Sequence, residues 1–270
     1  MSEQFFNFQI ELSVLVPALL VGVLVTLTHI PLGIAVFKRG IIFIDVAIAQ
    51  AAALGIIIAH QFFDNLVETN HFIGQGFAFL SAILVAIILT FTDKKFPKFQ
   101  EAIIGSTFVF SASMAMILLS ANPHGAEDFQ NIVAGQILWA SIKDALWLAI
   151  LYVPILITWF CFKNKIDNVN NVGFYLIFAL TITASVQIIG VYLVFSFLIL
   201  PAFVASNFKT YKKQIGFGYL VALIGLILGM AISTIFDLPT GPTISVGLVL
   251  LVVLWCLGIK IFNSVVKLKK

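Results

Sequence analysis

Apolar residues in this chain gather into long runs, and short polar clusters between the runs hold nearly all of the charge. A helix rises about 1.5 Å per residue, so roughly 20 apolar residues cross a hydrocarbon core of about 30 Å. Nine runs fall near that length, at 12–36, 41–59, 73–91, 102–121, 145–162, 172–188, 190–205, 215–236 and 243–261. The sixth and seventh are short and part only at Gly190. The pattern therefore predicts an all-α polytopic membrane protein, a bundle of about nine transmembrane helices (eight or nine) forming a single transmembrane domain over 1–270.

Composition agrees with the pattern: 61% of residues are hydrophobic, 10% are charged and 27 are Phe, far from the balance of a soluble domain. The opening MSEQFFNFQIELS carries no basic residue ahead of the first run, unlike a cleaved signal peptide, so that run is expected to be a span. With the N-terminus outside, every one of the 15 basic residues except Lys143 falls at a cytoplasmic end, and the C-terminus is cytoplasmic. The positive-inside rule favours that orientation. The net charge of +3 then belongs to cytoplasmic flanks, and no aromatic-interleaved basic patch marks a nucleic-acid partner. Cys161 and Cys256 sit in apolar runs without metal-ligand spacing and read as structural thiols. No G-x-x-x-x-G-K-[ST] occurs, so the chain is not expected to be an enzyme, and any ATP hydrolysis belongs to a separate polypeptide.

Polar groups inside the runs carry the candidate chemistry. The stretch FIDVAIAQAAALG places Asp45 about one turn into the second span and Gln50 about 15 Å from either end. Five residues apart, they are offset by roughly 140° and do not share a face. Ala47, Ala51, Gly55 and Ala59 form a small-residue stripe that admits a neighbouring helix. In the first span His29 lies as far from the cytoplasmic end as Gln50 does, and Pro31 frees a carbonyl in the preceding turn. Ser111, Ser113, Thr181, Thr183, Ser185 and Gln187 add oxygen and amide groups to other spans. Ionisable groups within a span are costly and commonly face a pathway or a partner; a buried hydrogen bond is the structural alternative for His29 and Asp45.

The segments on the outer side are acidic and histidine-bearing. In HQFFDNLVETNH, His60, Asp64, Glu68 and His71 fall along one face if the helix continues. NPHGAEDFQ brings His124 and Glu127 three residues apart. Imidazole and carboxylate suit a divalent transition metal; a solvated loop has the same composition.

Six segments occur in order: GIAVFKRG, FIDVAIAQAAALG, EAIIGSTFVFSASMAMILLSA, AGQILWAS, ALTITASVQIIGVYLVFSFLILPAFVAS and DLPTGPTISV. In that order the chain resembles the membrane permeases of the ATP-binding-cassette zinc, manganese and iron importers, over most of its length. The resemblance implies partners: an ATP-binding-cassette ATPase subunit, an extracytoplasmic metal-binding protein and a second permease copy, in membrane lipid. It also implies a bacterial cytoplasmic membrane location and a cytoplasmic coupling helix at 201–214, within PAFVASNFKTYKKQ. A membrane-surface anchor is the competing reading of that basic, aromatic stretch. In such permeases the second segment typically carries an Asp and a His four residues apart; here Val46 and Gln50 stand at those positions, with Asp45 one earlier. Asp45, His29, Glu101 or the outer His and acid clusters take their place as candidates. Glu101 otherwise reads as a cytoplasmic-end acid near Lys98.

The expected function is the transmembrane subunit of an ATP-driven divalent metal importer working by alternating access, zinc ahead of manganese or iron because histidines accompany the outer carboxylates. No cofactor is expected beyond the transported ion. A proton-coupled secondary metal transporter, with Asp45 and His29 titrating, and a non-transporting scaffold are the alternatives.

Overall fold

Nine long helices run through the residues that the computed structural model describes, 2–69, 71–119, 135–166 and 172–268. They are α1 (Ser2–Arg39), α2 (Ile44–Thr69), α3 (His71–Lys95), α4 (Gln100–Leu119), α5 (Ile142–Ile166), α6 (Val172–Ile189), α7 (Val191–Ala205), α8 (Tyr211–Phe236) and α9 (Thr240–Leu268). Two short 3-10 turns, Pro97–Phe99 and Ile137–Trp139, complete the described secondary structure, which contains no strand. All but α7 are long and apolar enough to cross a membrane. With 15 residues, α7 reaches only about 22 Å.

Several helices outrun the apolar runs that predict them. α1 starts at Ser2 and α2 continues to Thr69, because a helix does not end where the lipid does. Gly190 divides α6 from α7, as the two short runs suggest, with a left-handed φ of 79°.

α1, α2, α6 and α7 form the interior, and α3, α4, α5, α8 and α9 surround them with apolar side chains turned outward, such as Phe110, Ile150 and Ile235. In lipid that outward apolar surface needs no cover, so close packing holds the interior. The stripe on α2 serves that purpose: Ala47, Ala51 and Ala59 are fully buried. A Cβ at Gly55 would overlap the Phe77 carbonyl of α3.

Side chains tie the short connections. Thr92 donates to Gln100 Oε1 (3.0 Å) and Gln100 Nε2 donates to the Leu89 carbonyl (2.9 Å), clamping α3 to α4. Ser141 and Asp144 form a capping pair at the start of α5, with the Ser141 amide and hydroxyl both donating to Asp144 Oδ2 at 2.8 and 2.7 Å. The 201–214 segment comprises the last turn of α7, the turn 206–210 and the first turn of α8. Gln214 Nε2 donates to the Phe208 carbonyl at 2.7 Å, and the Phe208, Phe217 and Trp255 rings pack together, joining this turn to α8 and α9.

Candidate functional site

His29 is wholly buried in α1. Its Nδ1 lies 2.9 Å from the Val25 carbonyl, an acceptor only, so Nδ1 carries the proton. Nε2 then accepts from the Ser185 hydroxyl of α6 at 3.1 Å. Tyr152 of α5 stacks at a tilt 6.4 Å away, and its hydroxyl donates to the Thr181 carbonyl at 3.0 Å. The imidazole thus joins three helices with both nitrogens engaged, and the Nε2 lone pair is turned to Ser185 rather than to open space. Sequence reasoning recognised His29 and Ser185 separately; their pairing across 156 residues has no local signal.

Asp45 lies in the first turn of α2 and is 1% exposed. Neither carboxylate oxygen has a hydrogen-bond partner by ordinary geometry. Nearby polar groups are the free first-turn amides of Asp45 itself and Val46, the positive end of the helix dipole. The turn just ahead of α2 receives Glu101, whose Oε1 accepts from the Ile42 amide at 2.8 Å. Glu101 therefore caps the approach to α2 from the start of α4, a tertiary role that its neighbourhood in sequence does not reveal. At this end of the bundle Arg39 lies over the Phe174 ring (3.8 Å) and Lys38 over Tyr211 (5.3 Å).

Gln50 occupies different surroundings. It lines a cleft of about 740 Å³ between α2, α4, α7 and α9. Val46 and, just ahead of α2, Phe43 continue this wall, with Phe108 of α4, Tyr192 and Phe195 of α7, and Val246 of α9 opposite. Ser196 and Ser245 are the hydroxyl groups on its walls besides Tyr192. Gln50 is 4% exposed, and its Oε1 is buried without a partner. Neither Asp45 nor the groups bonded to His29 line this cleft, because depth in a span leaves the direction around the helix axis unspecified.

His60 is exposed near the far end of α2. Beyond it Phe63 has non-helical angles (φ −134°, ψ 31°), and His71 opens α3, so the His60–His71 segment is not one uninterrupted helix. The side chains of Asp64, Glu68 and His71, and the whole of His124 and Glu127, lie outside the described residues. Among the described residues no three His, Cys, Asp or Glu side chains converge as a metal cluster. On the same side of the bundle, residues 135–139 pack against the α6–α7 junction, with the Gln136 amide donating to the Ile188 carbonyl at 3.4 Å. Gly135 has φ 67°, and a Cβ there would overlap the Ile189 carbonyl and the Gly190 nitrogen.

The model of the ABC 3 transport family matches residues 11–258. The high-affinity zinc uptake system membrane protein ZnuB of Haemophilus influenzae is 22% identical over 248 residues, covering 86% of this chain and 92% of its own. The manganese transport system membrane protein MntC of Halalkalibacterium halodurans is 23% identical over 260 residues, covering 89% and 85%. The structure of PsaBC from Streptococcus pneumoniae in complex with Fab superposes with a TM-score of 0.73 at 20% identity, covering 94% of this chain and 95% of that one. That likeness establishes a shared fold.

Proposed function

The chain belongs to the ABC 3 transport family, and from that premise we propose that it is the membrane subunit of an ATP-driven importer of a divalent transition metal. It is a multi-pass membrane permease of the bacterial ABC transporter type. The observation that carries the proposal is the family match over 11–258, which takes in all eight long apolar helices in whole or in large part. Zinc stands ahead of manganese and iron: imidazoles accompany carboxylates in 60–71 and 122–130, and relatives named for zinc and for manganese are both similar to this chain.

In the proposed assembly two permease copies and two ATPase subunits face a metal-binding protein outside. The N-terminus is outside and the C-terminus cytoplasmic, in keeping with Lys38, Arg39, Lys94, Lys95, Lys209, Lys212 and Lys213 at one end of the bundle. His60, Asp64, Glu68, His71, His124 and Glu127 are proposed to receive the ion. Gln50 and Asp45 would flank its passage, and His29 would set the packing of α1 on α6 beside it. The 201–214 segment is the proposed contact with the ATPase, supported by its exposed Asn207, Lys209, Thr210, Lys212 and Lys213.

The test is purification of the tagged chain with its bound subunits, followed by ATPase assay with zinc, manganese and ferrous iron delivered on the binding protein. Metal-dependent turnover is expected. A chain that comes alone and moves metal in liposomes without ATP overturns the proposal.

A further inference from the structure

Among the described residues, the walls of the cleft beside Gln50 carry no charge. At about 740 Å³ it is large for a bare ion, and no described Asp, Glu, His, Cys, Lys or Arg lines it. Phe43 and Phe195 stack nearly parallel at 6.2 Å on its walls. The two serine hydroxyls are already spent as donors within their own helices, Ser196 to the Tyr192 carbonyl at 2.8 Å and Ser245 to the Gly241 carbonyl at 3.0 Å. Their oxygens are left as acceptors. Gln50 adds a buried Oε1 with no donor to meet it, a group whose isolation costs free energy until a ligand supplies an N–H or O–H.

Such walls suit one class of cargo and resist another. A bare dication taken out of water needs anionic or imidazole ligands to offset lost hydration, and zinc in particular takes Cys, His, Asp or Glu. The cleft offers neutral oxygens and aromatic faces instead. We infer that this cleft takes its cargo as a charge-neutral complex, a metal ion already wrapped in organic ligands that carry hydrogen-bond donors and flat rings, rather than as a bare dication. The inference rests on the metal-import reading and specifies the form in which the metal passes. Gln50 is then a specificity-determining residue: its Oε1 meets a donor on the wrapping ligand, and its neutrality keeps the cleft from favouring the naked ion.

Zinc bis-histidinate is the probe. Two histidinate anions cancel the charge of zinc, and the complex is water-soluble and presents amine N–H groups and imidazole rings. The full chain, purified with its ATPase subunit in nanodiscs, is titrated at fixed total radiozinc while L-histidine is raised through the range in which the neutral complex forms. Bound zinc is expected to rise with histidine. Gln50→Leu should lower that binding by at least about tenfold, and Gln50→Glu should turn the preference toward free zinc. The wild-type titration decides the matter even if a variant folds poorly. Binding that falls steadily as histidine is added shows that the bare ion is the ligand and overturns the inference. If free zinc then still stimulates ATP hydrolysis, the importer reading stands without it. No binding and no stimulation by zinc, manganese or ferrous iron in either form overturns both.

Discussion

The Tyr219 hydroxyl of α8 donates to the Leu27 carbonyl of α1 at 2.9 Å, and Leu27 is the residue whose carbonyl Pro31 leaves without its intrahelical donor. A broken bond within one helix is thus replaced by a bond to another. Tyr219→Phe should lower stability by about 0.5–1.5 kcal/mol, read from thermal unfolding in nanodiscs. In a Pro31→Ala background the Leu27 carbonyl regains an amide donor, so the same Tyr219→Phe change should cost measurably less. Equal cost in both backgrounds would show that the hydroxyl acts some other way.

Gly135 meets two demands at once, a left-handed backbone and close approach to the Ile189–Gly190 peptide. Gly135→Ala is expected to destabilise by about 2–4 kcal/mol from the strained φ and the overlap together. Gly105→Ala, where a Cβ meets nothing, is the matched control and should leave the melting temperature unchanged or slightly raised.

Asp45 separates stability from function. Its carboxyl group is buried without a hydrogen-bond partner, and such a group favours its neutral form, so Asp45→Asn changes its proton chemistry at little change of shape. The variant should stay within about 1 kcal/mol of wild type in stability, while metal-stimulated ATP hydrolysis in the assembled complex falls. A stable variant with full stimulation would remove Asp45 from the pathway.

Phe208 packs against Phe217 with ring centroids 4.7 Å apart, and Phe217 against Trp255 at 4.8 Å. Phe208→Ala should leave the ATPase subunit bound but weaken the link between metal and turnover, seen as basal hydrolysis that no longer rises with metal. Loss of the ATPase subunit on purification would instead assign the turn to binding alone.

Sequence made some of this plain and hid the rest for physical reasons. Hydrophobic runs mark where lipid touches the chain, so eight long spans and the break at Gly190 are legible, whereas the helical extensions to Ser2 and Thr69 are not. The stripe Ala47, Ala51, Gly55 and Ala59 announces a buried helix, and α2 is one. Depth along a span can be counted, which places His29 and Gln50 at comparable heights. Azimuth depends on neighbours: His29 turns to Ser185, Gln50 to the α4–α7–α9 cleft. Glu101 caps Ile42 across 59 residues, a contact that no local pattern encodes. Pro31 signals an orphaned carbonyl in α1, but its donor, Tyr219, is 192 residues from Leu27.

At Gly190 the backbone breaks stride between α6 and α7 without any loop to take up slack. Residues 135–139 lie across that joint like a splint, bonded to Ile188 and seated on Gly190, and they run straight into the Ser141–Asp144 cap of α5. A tilt of α7 against α6 bears directly on the Gly135–Gln136 backbone seated there, and through the short link to the Ser141–Asp144 cap it bears on α5 as well, so three consecutive helices meet at one pivot.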